Sequence, residues 1–276
     1  MLKLLIICGI IAVFIVYGLY VYKQCNQFKY IDTYKFSSQP GAITTIPKVI
    51  IQTYHNKSKI PNKVYENIKK YAPEYKHIIY DDNECIKFLT QFDNRYKKIS
   101  DLSCVDKFKS FKKGAHKADL FRYCYLYQYG CIYLDIKTEL IPPLNTIFNN
   151  FENSLYTVLA RNKYTIYQGI IASYPEHPIL GDLINQCIGS NNRILGTYYS
   201  LFLKFFYMTL EDNIKSFGSI TPGTYQTDGL GTVYLLQEEN CPIVDCGTTD
   251  RYNSCTFIHD KYGNKIIKTR YSDFPW

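Results

Sequence analysis

The stretch Lys117–Glu139, KADLFRYCYLYQYGCIYLDIKTE, decides the fold because a helix, a stop and a buried strand follow one another without interruption. Gly130 is placed where a helix over 113–129 would end. The short apolar run 131–134 then predicts a buried strand, which ends at Asp135. Ligands bind at the carboxyl ends of strands in open α/β sheets, so Asp135 is expected to face a cleft. Apolar residues recur at helical spacing before the glycine: Ala118, Phe121, Tyr125, Leu126 and Tyr129.

The segments on either side of this stretch continue an alternation of strands and helices. Strands are predicted at 48–54, 75–80, 155–160 and 169–173, and helices at 62–71, 81–92 and 179–187. Such alternation favours a single α/β domain with a mostly parallel central sheet. The clearest helix start is the cluster Asp81-Asp82-Asn83, which is a good N-cap for the second helix.

Asp119 and Arg122 are three residues apart on the predicted helix and therefore share a face. An aspartate and an arginine aimed at the cleft of Asp135 can hold a sugar hydroxyl and a diphosphate. The spacing is equally compatible with a simple ion pair between Asp119 and Arg122 on the helix.

The same stretch resembles the glycosyltransferase family with the sugar-binding DXD motif, family 32, and within it the initiating α-1,6-mannosyltransferase group. The family pattern appears here as Ala118-Asp119-Leu120-Phe121-Arg122-Tyr123, then Gly130, then Tyr133-Leu134-Asp135. Weaker similarity extends upstream to IPKVIIQTY at 46–54 and downstream to QGIIA at 168–172, and it covers roughly 46–260.

The resemblance implies a GT-A-like nucleotide-sugar-binding domain and transfer of a sugar with retention of configuration. By this analogy the catalytic residues are Asp135, Asp119 and Arg122. The residues expected to bind the donor are Asp119, Arg122, Gln52, Tyr54, Lys137 and Gln168. The implied cofactor is a divalent metal, Mn²⁺ in most members, with Asp135 and His259 as its expected ligands.

One departure from the family pattern affects the metal directly, because Lys137 stands where the second acid of the DXD motif belongs. Three hypotheses follow. Asp135 still binds metal with help from Glu139, His259 or Asp260; Lys137 supplies the metal's charge; or the site is disabled. In the last case the protein would be an inactive, membrane-tethered homologue that binds sugars or serves as a scaffold.

The N-terminus predicts a membrane anchor, since the uncharged stretch 4–22 is about as long as a bilayer-spanning helix. We expect a tail at 1–3, a signal anchor at 4–22, a stalk at 23–45 and the glycosyltransferase-like domain at 46–276. Such a type II protein would place its domain in the ER or Golgi lumen or outside the cell. A signal peptide cleaved near Cys25 is the alternative.

The composition narrows the partners further. The net charge of +8 comes from scattered lysines without a long basic run, so nucleic acid is not an expected partner. The expected partners are a nucleotide-sugar donor and a glycan, protein or lipid acceptor. The richness in Tyr, Lys, Ile and Asn is typical of AT-rich genomes and fits a viral origin.

Overall fold

The computed structural model describes residues 43–96, 103–192, 200–214, 219–227, 229–240 and 255–270. The predicted anchor at 4–22 and most of the predicted stalk lie outside these ranges. Within them, no helix has both the length and the apolarity needed to cross a membrane. Near the start of the first described range, the carbonyl of Thr44 accepts from the amide of Asn153 at 2.7 Å.

Helices and strands alternate through the first two thirds of the described chain, and strands dominate its end. The helices are α1 (Asn62–Tyr71), α2 (Asp82–Arg95), α3 (Cys104–Ser110), α4 (Gly114–Tyr129), α5 (Leu144–Ile147), α6 (Pro178–Gly189) and α7 (Leu201–Ile214). The strands are β1 (Val49–Thr53), β2 (Lys76–Tyr80), β3 (Cys131–Leu134), β4 (Glu139–Leu140), β5 (Ser154–Leu159), β6 (Ile166–Ser173), β7 (Gly223–Thr227), β8 (Gly231–Asn240), β9 (Thr256–His259) and β10 (Lys265–Lys268).

The strands form one mixed sheet in the order β2-β1-β3-β6-β5-β8-β9-β10-β4, with β7 on β8. Only the pairs β2–β1, β1–β3 and β5–β8 are parallel among the described strands. The other pairs are antiparallel, beginning with β3–β6. The α/β class is therefore confirmed, but the expectation of a mostly parallel sheet is wrong. Periodicity identifies a strand without fixing its direction.

Both faces of the sheet are covered, because successive strand residues point to opposite sides. In β3, Cys131 and Tyr133 pack into a core with helices α2, α3, α4, α6 and α7. Ile132 and Leu134 pack into a second core on the other face, where Ile68 of α1 also lies. Strand β3 is buried along its whole length, which explains its continuous apolar sequence.

Two local signals fix the helices that border the site. Asp81 accepts from the amide of Glu84 and Glu84 accepts from the amide of Asp81, so a capping box begins α2. Gly130 ends α4 with φ +61° and ψ 159°, a conformation that suits glycine. The turn at Gly130 leads α4 directly into β3 and so brings Asp119 and Arg122 back towards Asp135.

Candidate functional site

The site lies where β1 and β3 end side by side. These strands are parallel, with Ile51 opposite Tyr133, so their carboxyl ends meet at one edge of the sheet. Asp135 follows β3 immediately, and its amide donates to the carbonyl of Gly169 on β6 at 2.8 Å. The amide of Thr138 donates to the carbonyl of Asp135 at 2.9 Å, so the chain turns there.

A cavity of about 420 Å³ opens at this edge. Its walls come from the end of β1, the first turns of α2 and α4, helix α3, and the end of β3 with the turn after it. The lining residues are Thr53, Tyr54, His55, Asp82, Cys85, Phe108, Gly114, Ala115, Lys117, Ala118, Arg122, Tyr133, Asp135, Ile136 and Lys137. The volume falls within the ~300–1,000 Å³ typical of small-molecule sites.

Arg122 connects helix α4, strands β3 and β6, and the cavity. Its Nη2 lies 3.2 Å from Oδ1 of Asp119 and 3.6 Å from Oδ1 of Asp135. Its Nη1 donates to the carbonyl of Gln168, and its Nε donates to the carbonyl of Ala118 at 3.1 Å. The guanidinium also lies 4.2 Å from the centre of the Tyr133 ring. The arrangement therefore goes beyond an ion pair between Asp119 and Arg122.

Tyr133 orients the carboxylate of Asp135. Its hydroxyl donates to Asp135 Oδ1 at 3.0 Å, and the hydroxyl of Thr53 lies 3.2 Å from the Tyr133 oxygen. Burial raises the pKa of Tyr133 above its ordinary value, although the neighbouring Arg122 lowers it. The phenol therefore keeps its proton, which it needs in order to donate.

Gln52 holds the backbone of Asp135 from the other side. The side chain of Gln52 is fully buried, and its Nε2 donates to the Asp135 carbonyl at 3.1 Å. Its Oε1 lies 2.7 Å from Nε2 of His77, which must carry a proton because an amide oxygen only accepts. Burial lowers the pKa of His77, so the ring is held in its neutral form.

Asp119 is buried behind the cavity rather than exposed in it, since it is not one of the lining residues. Burial raises the pKa of Asp119 to about 7, Arg122 acts to lower it, and the charge of Asp135 raises it further. Burial alone would lower the pKa of Arg122, but Tyr133, Asp119 and Asp135 together raise it above the ordinary value. The guanidinium is therefore always charged.

The expected donor-binding residues divide into two groups. Tyr54, Arg122 and Lys137 line the cavity, as does Asp135. Asp119, Gln52 and Gln168 are buried and lie outside its lining. Gln168 is held next to the site through its carbonyl, while its side-chain amide makes no hydrogen bond to the part of the chain that is described.

The expected metal ligands are not brought together. His259 lies on β9, four strand positions from β3, with its Nδ1 3.6 Å from Oε2 of Glu239. Glu139 is on β4 opposite Lys268, and Asp260 accepts hydrogen bonds within its own turn from Tyr262 and Asn264. None of these three residues lines the cavity of Asp135.

Sequence reasoning missed several residues at this edge. Tyr133 hydrogen-bonds to Asp135, and Thr53 lies within hydrogen-bonding distance of Tyr133. The role of Tyr133 was predictable, because side chains alternate along a strand and residues 133 and 135 therefore point to the same side. Lys117 and Asp82 line the cavity as an ion pair of 2.8 Å. Asp82 had been assigned to a helix cap, but Asp81 alone fills that role.

Comparison with known proteins identifies the class. Residues 58–153 match the family model described as a glycosyltransferase sugar-binding region containing DXD motif. This region spans α4, β3 and Asp135, and thus includes most of the cavity walls. This part of the chain is similar to that family, and the resemblance inferred from the sequence is confirmed.

Individual relatives agree with the family match. An uncharacterized glycosyltransferase of Acanthamoeba polyphaga mimivirus is 27% identical over 226 residues, which are 79% of this chain and 83% of that protein. An inositol phosphoceramide mannosyltransferase of Schizosaccharomyces pombe is 22% identical over 173 residues, 60% of this chain and 50% of the relative. An initiation-specific α-1,6-mannosyltransferase of Candida albicans is 30% identical over 110 residues, 40% of this chain and 26% of the relative.

The solved structure of PaToxG glycosyltransferase is similar with a TM-score of 0.42 and 17% identity. The similarity covers 69% of this chain and 76% of that one.

Proposed function

We propose that the protein is a glycosyltransferase that moves a sugar from a nucleoside-diphosphate sugar to a hydroxyl of a glycan, protein or lipid acceptor. The observation that carries the proposal is the cavity at the ends of β1 and β3, whose wall includes both Arg122 and Asp135 of the family pattern. The family match and the activities for which the relatives are named support the same class of reaction.

The chemistry of the walls suits this donor. Lys117, Arg122 and Lys137 line the cavity and would attract a diphosphate. Tyr54 and His55 both line the cavity, with ring centres 4.7 Å apart, and offer flat surfaces to a base or sugar ring. The carboxylate of Asp135 accepts hydrogen bonds and is therefore suited to a sugar hydroxyl.

In the proposed reaction the bond between the anomeric carbon and the diphosphate oxygen breaks, and the electron pair stays on the diphosphate. A new bond forms between that carbon and the acceptor oxygen, whose proton is released with the diphosphate. Basic side chains at the cavity offset the charge that develops on the leaving group. Asp119, Gln52 and Tyr133 act as positioning residues that hold Arg122 and Asp135 in place.

DXD glycosyltransferases commonly use a divalent metal, and the residues at this site do not fit one well. Such an ion is usually held by one or two carboxylates together with substrate phosphates. Here Asp135 is the one acid of the motif, and its Oδ1 already receives Tyr133 and faces Arg122. Among the described residues, no three His, Cys, Asp or Glu side chains cluster as they do in a site built from protein ligands alone.

The test is a transfer assay on the full chain with a panel of nucleotide sugars and candidate acceptors. We expect turnover with at least one donor, and retention of configuration in the product by NMR. Asp135→Asn should lower kcat/KM by roughly 100-fold or more, because one charge-assisted contact of the transition state is worth several kcal/mol. Glu66→Gln, an exposed change on α1, is the control and should leave the rate unchanged.

Lack of both turnover and donor binding across the panel would contradict the proposal. Binding without turnover would instead favour the inactive sugar-binding homologue, which the retained Arg122 and Asp135 now make the weaker hypothesis.

A further inference from the structure

We infer that Lys137 takes over the electrostatic role of the second DXD carboxylate and its cation, so that the site binds a nucleoside diphosphate without a divalent metal. This inference rests on the proposed function, because it concerns how the same cavity holds the donor. It differs from the usual chemistry of the family and follows from the groups present at the cavity wall.

Lys137 lies in the turn that directly follows Asp135. The tight turn that joins the amide of Thr138 to the carbonyl of Asp135 contains residues 136 and 137. Asp135 and Lys137 both line the cavity, two residues apart. The side chain at 137 therefore occupies the wall where a second carboxylate of the motif would stand.

The charged side chains of the cavity wall favour an anion. Lys117, Arg122 and Lys137 contribute three positive groups, while Asp82 and Asp135 contribute two negative ones. An aspartate at 137 would reverse the balance and create a demand for a cation. Lysine instead of aspartate at 137 makes the wall less attractive to a dication and more attractive to the phosphates of a nucleotide.

The placement of the other acids leaves few protein ligands for a metal. Asp135 has Tyr133 on its Oδ1, and Asp82 is 2.8 Å from Lys117. Glu139, His259 and Asp260 do not line the cavity. The described residues thus offer a metal little more than one oxygen of Asp135, so almost all of its other ligands would have to come from the phosphates and water.

The experiment measures binding of UDP and GDP to the full chain by calorimetry, in EDTA and in excess MnCl₂. We expect at least one nucleotide to bind with a Kd that changes less than about 2-fold between the two conditions. Lys137→Met should weaken that binding roughly 10-fold or more, since one charge-assisted contact is lost. Lys137→Arg should largely retain it.

Lys137→Asp is the decisive variant. It should lose nucleotide binding in EDTA and regain it in Mn²⁺, and Mn²⁺ alone should bind this variant more tightly than the unchanged chain. Lys69→Met removes an exposed charge on α1 and should bind nucleotide as the unchanged chain does.

Two results would overturn the inference, and they are distinguishable. If the unchanged chain binds nucleotide more than about 10-fold more tightly in Mn²⁺ than in EDTA, a metal participates, and the proposed glycosyl transfer still stands. If neither nucleotide binds in either condition and no donor is turned over, both the inference and the proposed function fail.

Discussion

At the scale of single residues, the buried Asp119 and Arg122 and the half-buried Asp135 dominate the site. One guanidinium contacts two carboxylates and two backbone carbonyls, so replacing Arg122 leaves buried polar groups without their partner. Function and stability are therefore coupled at these positions, and tests of one must control for the other.

Replacement of Arg122 should destabilise the fold strongly. We expect Arg122→Met to lower the free energy of unfolding by about 3–5 kcal/mol, because it leaves the buried carboxyl of Asp119 and the carbonyl of Gln168 without their partner. Chemical denaturation followed by circular dichroism measures the change. Arg95→Met, at an exposed position on α2, should cost less than about 1 kcal/mol. Equal losses for the two variants would contradict the assigned role of Arg122.

The pKa of Asp119 predicts how stability varies with pH. Because burial raises this pKa from 3.8 to about 7, the folded chain holds a proton that the unfolded chain releases between these values. The contribution of Asp119 to the free energy of unfolding should therefore fall as pH rises through this window. Asp119→Asn should flatten that decline in a series of denaturation curves, and Glu66→Gln should not. An unchanged slope in Asp119→Asn would refute the raised pKa.

At the scale of elements, helices and strands with a strong local sequence pattern were predicted correctly, whereas those with a weak pattern were missed. The predicted helix over 113–129 and strand over 131–135 agree within one residue with α4 and β3. Helix α3 was missed because it is short and mostly polar, with Cys104 and Phe108 as its buried residues. The later strands β7 to β10 were missed as well, although β7 pairs with β8 and β9 pairs with β10 across short connections.

The turn between α4 and β3 should be intolerant of a side chain at Gly130. A Cβ there would lie 2.6 Å from Cδ of Pro175, and the positive φ adds strain. We expect Gly130→Ala to lower the free energy of unfolding by roughly 1–3 kcal/mol. Gly114→Ala is the matched control, because nothing lies within 4 Å of its new Cβ. Similar midpoints for the two alanine variants would show that the turn relaxes easily.

At the scale of the whole molecule, one sheet separates two cores, and its strand directions were the main error of sequence reasoning. The α/β class followed from alternating elements, but the mixed pairing depends on long-range contacts such as β3 against β6. The same limit applies to the site. The motif residues near Asp135 were identifiable, whereas His259 was assigned by analogy and lies elsewhere in the sheet.

Because both cores share this sheet, they should unfold together. We expect Leu120→Ala in the core beside α4 and Ile258→Ala in the opposite core each to cost about 2–5 kcal/mol. Both should shift one common transition, seen identically by near- and far-ultraviolet circular dichroism. Two separate transitions, each sensitive to only one substitution, would show that the faces unfold independently.

Two hydrogen bonds hold the main chain at Asp135. The side-chain amide of Gln52 donates to its carbonyl, and its own backbone amide donates to the carbonyl of Gly169. Neither hydrogen bond involves the carboxylate. The backbone should consequently follow the same path with asparagine, serine or glutamate at position 135. Rates measured for these three variants would therefore compare different side-chain groups on an unchanged backbone.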